Sequence, residues 1–343
     1  MSRLKSARLR DRQLSETWRV DIADYVHDLA WSSDGRFLAA ISVSGQVWLC
    51  SHPDGALLCL GEHSGGGVSV SWRPGTAEFA SIGHDGVVRL WNAESRRLIR
   101  ELDAGGAWGV RVAWRPQGTH LAVAAGKSLR WYTPDGNVVY GSSQHESTIA
   151  DIGWNPDGSA VAVAAYFGVT LHIPGKPMRK LEWKGSSLAL AWSPTGRCLV
   201  TGEQDSSVHL WYVKTGRDSQ MSGFALKVLE LSWHHTGNFL ATGGSDTIVL
   251  WDCSGSGPEG REPKMLEGHS TRITQLAFRH RGDEIASSDA DGRVLVWSPL
   301  THSTPFFMQQ CDSAVSRLVW SPDDQSFAIG EKSGVITCSG VSC

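Results

Sequence analysis

Residues Phe79–Asn92 read FASIGHDGVVRLWN. Apolar and polar residues alternate on both sides of His84-Asp85-Gly86, which fits two short strands joined by a tight turn, because Asp and Gly tolerate the positive φ such turns impose. One hairpin of this size cannot hide its own apolar faces. It needs neighbours of the same kind, and the rest of the chain supplies them.

An aromatic residue followed closely by a polar turn recurs along the chain as Trp31-Ser-Ser-Asp-Gly, Trp72-Arg-Pro-Gly, Trp114-Arg-Pro-Gln-Gly and Trp154-Asn-Pro-Asp-Gly. It continues as Trp192-Ser-Pro-Thr-Gly, Trp233-His-His-Thr-Gly, Phe278-Arg-His-Arg-Gly and Trp320-Ser-Pro-Asp-Asp. The anchors are 41, 42, 40, 38, 41, 45 and 42 residues apart. A period this regular is the signature of stacked or radial repeats.

Each unit has the same internal order. A strand ends on the anchor (LAW, VSW, VAW, IGW, LAW, LSW, LAF, LVW), and after the turn a second strand follows (FLAAIS, FASIG, LAVAA, VAVAA, LVTGE, LATGG, IASSD, FAIGE). A third is clearest in VVRLW, SLRWY, SVHLW, TIVLW and RVLVW, and more variable strands such as RLIREL and PKMLEG lead to the next unit. Four strands per ~40 residues is the cue for propeller blades. The residue before each anchor is small or β-branched (Ala30, Ser71, Ala113, Gly153, Ala191, Ser232, Ala277, Val319), whereas the anchors and Trp91, Trp131, Trp211, Trp251 and Trp297 are large. This gradation suits strands converging on an axis, with bulky side chains filling the wider space between sheets.

On these motifs the chain, over about residues 15–339, resembles the WD-repeat β-propeller family. The resemblance implies a buried tetrad of His, Ser or Thr, Asp and Trp pinning each blade. Two units carry all four members, His63-Ser81-Asp85-Trp91 and His269-Ser287-Asp291-Trp297; two keep three, Thr201-Asp205-Trp211 and Thr242-Asp246-Trp251. The other four depart at the turn, with Ser44-Gly45, Gly126-Lys127, Tyr166-Phe167-Gly168 and Ser333-Gly334. The expected fold is all-β, an eight-bladed propeller of four-stranded antiparallel blades. Ser15–Asp21 (SETWRVD) has no unit of its own and is expected to complete the last blade, leaving no free edge. A seven-bladed ring, the less favoured alternative, would leave one unit without a place.

Composition agrees with a globular β protein: of 343 residues 41% are hydrophobic and 20% charged, with 38 Gly and 16 Trp. A net charge of −3 invites neither nucleic acid nor an anionic membrane. Seven scattered cysteines without a CxxC pair fit a reducing, cytoplasmic setting. Residues 1–14 read as a basic flexible tail and 15–343 as a single propeller domain, monomeric on its own. Ser254–Glu262 (SGSGPEGRE) reads as an outer loop between third and fourth strands.

His63-Ser81-Asp85 and His269-Ser287-Asp291 contain the residue types of a hydrolase triad, but they recur in register with a structural repeat, whereas a nucleophile needs a unique setting. No P-loop or G-x-S-x-G elbow is present, and no enzyme activity or cofactor is expected. His234, His235 and His280 fall in equivalent turns of adjacent units and are weak candidates for a metal. Three residues ahead of the anchors lie Asp28, Ser69, Arg111, Asp151, Ala189, Glu230, Gln275 and Arg317, whose mixed signs suit ion pairing along an axial channel or, alternatively, a small-ligand site there. The resemblance implies that the narrow top face binds partners. In register, that face carries Tyr25, His27, His84, Trp108, Tyr166, Gln204, Lys227, Arg272 and Lys332. Trp108 lies outside both structural tryptophan positions, as an interface anchor would. The function expected is a scaffold binding a protein or peptide there, the alternative being a small-ligand or metal-binding module that partners metal handling.

Overall fold

The structure is a computed structural model that describes residues 14–106, 108–142 and 145–341. The tail expected at residues 1–14 lies outside the described residues apart from Leu14, which opens the first strand. Every regular element described is a β-strand, and every pairing is antiparallel between neighbours in sequence, except where the N-terminal strand joins the last unit.

The layers of one unit follow from its sequence. In the unit around the opening stretch, Gly67–Trp72 is innermost, followed outward by Glu78–Gly83, Val87–Asn92 and Arg97–Asp103. The second strand is covered on both faces by adjacent sheets, so Phe79, Ala80, Ser81 and Ile82 are all buried and its sequence is nearly continuous in apolar residues. The outermost strand is mostly exposed and reads RLIRELD. At the turn Gly86 takes φ 68°, which L side chains seldom adopt.

The inner strands form a closed ring. Val26–Trp31 contacts Gly67–Trp72, the contacts continue unit by unit to Val315–Trp320, and that strand contacts Val26–Trp31. The anchors make the joints. The indole Nε1 of Trp72 donates to Ala30 O (2.7 Å), Trp154 to Ala113 O (2.9 Å), Trp192 to Gly153 O (3.0 Å), Trp233 to Ala191 O (3.3 Å), Trp320 to Ala277 O (2.8 Å) and Trp31 to Val319 O (3.3 Å). In each case the acceptor is the small or β-branched residue preceding the neighbouring anchor. Its size is set here: a Cβ on Gly153 would lie 3.6 Å from the Trp192 ring and 2.9 Å from Leu190. At Gly153 the close neighbour is therefore Leu190 of the next unit's inner strand, with the Trp192 ring at ordinary contact distance. Where the small residue is serine, its hydroxyl accepts the next anchor's backbone N–H instead, Trp114 N to Ser71 Oγ (3.1 Å) and Phe278 N to Ser232 Oγ (2.9 Å).

Leu14–Asp21 pairs antiparallel with Val335–Val341, Trp18 opposite Cys338 and Asp21 opposite Val335, so the N-terminal strand supplies the outer strand of the last sheet as expected. Trp18 is buried there and its Nε1 donates to His52 Nδ1 of the first unit (3.1 Å).

Counted as hydrogen-bonded sheets the ring has seven members, where eight four-stranded blades were expected: six sheets have four strands and one has six. The difference is confined to the fourth and fifth repeat units. Val161–His172 carries both the second and third strands of the fourth unit through Phe167 (φ 69°) and Gly168 (φ 99°), the positive φ pair of a two-residue turn. Arg179–Trp192 then pairs with that strand through residues 179–182 and with Cys198–Glu203 through residues 187–192. An outer strand thus runs unbroken into the next inner strand, and two units share one sheet.

Candidate functional site

A cavity of about 480 Å³ occupies the axis, lined by residues of the inner strands and by Tyr25, Arg272 and Lys332 at one mouth. Two matching clamps cross its wall. Asp28 accepts Leu29 N–H with Oδ1 (3.0 Å) and Val70 N–H of the next unit with Oδ2 (3.0 Å), while Arg317 of the preceding unit pairs with it at 3.0 Å. Asp151 repeats this with Ile152 N (2.9 Å), Leu190 N (3.1 Å) and Arg111 (3.2 Å). Beside Asp151, the Arg111 guanidinium is held above its ordinary range. Each aspartate thus ties three units together, so four of the eight ring positions are structural ion pairs. Glu230 is different. Burial raises its carboxyl, and Arg272 pulls in the opposite direction.

Loops leading into the first strands and turns between second and third strands share the face that bears this mouth. Lys332 Nζ lies 5.8 Å from the Tyr25 ring centroid, and His27 is 6.3 Å from the same ring. Burial lowers the His27 imidazole, Asp28 opposes this, and Arg317 and then His84 add to it. Trp108 is 45% exposed, with its carbonyl accepting Gly126 N–H (3.0 Å) across the top of the third unit. Lys227 and Gln204 are exposed on the same face, and neither they nor Trp108 line the axial cavity. Tyr166 (50% exposed) and Phe167 (52%) meet with ring centroids 4.1 Å apart and tilted by 50°, and border a separate pocket of about 110 Å³ with His145, Met178 and Lys180. Of the nine expected partner-binding residues, the structure gathers Tyr25, His27, Arg272 and Lys332 at the mouth, sets His84, Trp108, Gln204 and Lys227 around it, and puts Tyr166 at a second site.

The tetrads are interior. Trp91 Nε1 donates to Ser81 Oγ (2.8 Å), Ser81 Oγ is 2.8 Å from His63 Nε2, and His63 Nδ1 is 3.0 Å from Asp85. For these three contacts serine can donate to Nε2 and Nδ1–H to the aspartate, and Arg89 Nη1, which donates to Asp85 (2.7 Å), also lies 2.5 Å from Nδ1. Burial lowers the His63 imidazole more than Asp85 raises it, consistent with that neutral tautomer. In the other full unit Trp297 and His269 both bond Ser287 (2.8 and 2.7 Å), but the carboxylate on His269 Nδ1 is Asp289 at 2.9 Å, not Asp291. Asp289 is buried and also accepts the backbone N–H groups of Asp291 and Arg293, while Asp291 is exposed. In the Thr242 unit Trp251 Nε1 donates to Thr242 Oγ1 (3.0 Å) and Asp246 is exposed. In the Thr201 unit the hydroxyls of Thr201 and Ser187 (2.9 Å) donate to Glu203 Oε1, and Asp205 binds Ser207 Oγ (2.6 Å). Trp211 is buried in that unit against His209, ring centroids 4.4 Å apart.

The model of the WD domain, G-beta repeat matches residues 55–92, 175–212, 219–252 and 260–298, four segments of this ring. The chain is a WD-repeat β-propeller. It is 23% identical to anaphase-promoting complex subunit cdh1 of Dictyostelium discoideum over 86% of this chain and 45% of that protein. It is 21% identical to autophagy-related protein 16 of Arabidopsis thaliana (80% and 55% covered) and 24% identical to THO complex subunit 3 of Arabidopsis thaliana (65% and 75%). The chain thus spans about half the length of the first two relatives. In fold it resembles the crystal structure of the computationally designed Ika8 protein, with a TM-score of 0.81 at 20% identity, covering 95% of this chain and 99% of that one.

Two features of this WD-repeat propeller escaped the sequence reading. An acidic residue closes the second strand in LVTGE, IASSD and FAIGE, and in all three units it reaches back toward the start of the first strand: Glu203 to Ser187, Asp289 to His269, and Glu331 to Ser313 N–H (2.8 Å). The recurrence was visible, but the expected aspartate two residues later drew attention away from it. Among the three histidine candidates, His280 pairs with Asp324 (2.9 Å) and leaves the group, and Asp283 joins His234 and His235 in its place.

Proposed function

We propose that this propeller is a non-enzymatic, cytoplasmic docking platform that receives a protein or peptide on the face around the axial mouth. The observation that carries the reading is Trp108, a large aromatic 45% exposed on that face and outside both structural tryptophan sets. Burying such a side chain is worth about 1.5–3 kcal/mol, on the scale of an interface anchor. Tyr25, Arg272, Lys332 and Lys227 complete an aromatic and cationic rim suited to a segment that carries carboxylates. Two of the relatives are named as complex subunits, of the anaphase-promoting complex and the THO complex, which supports an interaction role.

The test compares wild type with the Trp108→Ala/Tyr25→Ala double variant in affinity purification from the native host, followed by direct binding of the proteins that co-purify. The expected result is loss of those proteins with a nearly unchanged melting temperature. Binding equal to wild type would remove this face from consideration. A small ligand in the cavity is the second reading, favoured by Glu230 and Arg272, side by side on adjacent units of its wall. Ligand-dependent thermal stabilisation abolished by Glu230→Gln would support it over a docked chain.

A further inference from the structure

His234 and His235 follow the anchor Trp233 in the turn between first and second strands, and Asp283 sits in the corresponding turn of the next unit. These turns lie at the end of the inner strands away from the docking face. His234 is only 2% exposed, wedged edge-on against Phe278 and Phe239 at ring distances of 5.3 and 5.9 Å. Its Nδ1 is 2.8 Å from Thr236 Oγ1, and its Nε2 points at Asp283 Oδ1 across 3.0 Å. The two histidine rings lie 4.2 Å apart. One ligand atom from each of the three residues falls within 4.8 Å of the other two.

The hydrogen bonds select the nitrogens. Gly282 O can only accept, so His235 Nδ1, 3.0 Å away, carries the proton and Nε2 keeps its lone pair. At His234 the Thr236 backbone N–H (3.4 Å) and hydroxyl (2.8 Å) both approach Nδ1, so in the empty site Nε2–H donates to Asp283; a metal ion on Nε2 requires that proton to move to Nδ1, where Thr236 Oγ1 can accept it. A metal ion would take the place of that proton on the line between Nε2 and the Asp283 carboxylate. Donation of the second ring N–H to a carbonyl or hydroxyl is the arrangement that orients metal-bound histidines.

We infer that His234 Nε2, His235 Nε2 and the Asp283 carboxylate form a binding site for a divalent late transition metal of the zinc class, clipping two adjacent units together. Two imidazoles and one carboxylate suit Zn²⁺ in tetrahedral coordination, with a water as fourth ligand, and disfavour Mg²⁺ and Ca²⁺, which take oxygen donors. His234 is held by its aromatic neighbours, while His235 and Asp283 are exposed and free to close onto an ion. With both imidazoles neutral, the site carries one negative charge before binding.

The test strips the full chain with a chelator and titrates it with Zn²⁺ by calorimetry and with Co²⁺ by visible absorption. The expected result is one equivalent of each, with tetrahedral Co²⁺ bands that lack thiolate charge transfer and are bleached by Zn²⁺. Affinity should fall about tenfold or more in both His235→Ala and Asp283→Asn, two exposed positions whose variants keep the wild-type circular dichroism spectrum. His280→Ala, which removes the histidine paired with Asp324, should bind as wild type does. Less than one equivalent bound by wild type, or unchanged affinity in both ligand variants, would overturn the site.

Discussion

Trp31 Nε1 donates to Val319 O over 3.3 Å, which makes the first repeat unit the neighbour of the last. The same contact is made between consecutive units elsewhere, so closure uses the joint that builds the ring. Phe278 shows that a phenyl ring can occupy an anchor position. Trp31→Phe should therefore lose the hydrogen bond and part of the packing, about 1–2 kcal/mol, whereas Trp31→Ala should cost about 3–5 kcal/mol. Urea unfolding midpoints with an unchanged m-value would measure both.

Asp289 and Asp291 offer a sharper comparison, since sequence register and geometry disagree about them. Asp289 is buried and satisfies His269 and two backbone N–H groups, and Asp291 is exposed. Asp289→Asn should destabilise by about 2–4 kcal/mol, because the amide cannot accept all three bonds and its own donors are buried. Asp291→Asn should stay within about 0.5 kcal/mol of wild type. Equal losses in the two variants would restore the register assignment.

The architecture was legible because it is written eight times. The anchors recur with their turns, and Ser15–Asp21 was placed correctly because no unit claimed it. Legibility failed where one copy departs from the others. Phe167-Gly168 makes a turn tight enough for one strand to pass through, and residues 183–186 bring no break before the next inner strand, so the sheet count drops by one. Site residues were less legible still. Spacing placed Tyr25, Arg272 and Lys332 on one face, but their meeting at a single cavity depends on radial packing. His280 was grouped with His234 by turn register alone, while its actual partner, Asp324, lies on the following unit.

Buried histidines give the stability a direction with pH. Burial depresses the imidazoles of His63, His145, His209 and His269 below the ordinary 6.5, and lowers His172 to about 4. The unfolded chain therefore binds more protons than the folded one below pH 6.5, and stability must fall as the medium is acidified toward pH 4. Each histidine contributes at most about 1.4 kcal/mol per pH unit within its own window. Urea midpoints across that range should drop steadily, and proton NMR should show the His172 ring titrating near 4. A flat profile would mean that these rings are already charged in the folded state.

Glu203 is predicted to act in the opposite sense. It is fully buried, it takes two hydroxyl donors on Oε1, and its Oε2 has no partner among the described residues. Burial raises its carboxyl above the ordinary 4.5, with Thr201 and Ser187 only partly offsetting this. A raised carboxyl contributes stability that is complete below the unfolded value and is lost as pH climbs through the folded one. Glu203→Gln keeps the shape and removes the charge, so the glutamine carbonyl can hold Thr201 and Ser187 at any pH. Its melting temperature should exceed that of wild type at pH 7 and converge with it near pH 4. A glutamine variant less stable at pH 7 would show instead that the ionised carboxylate is the form the fold requires.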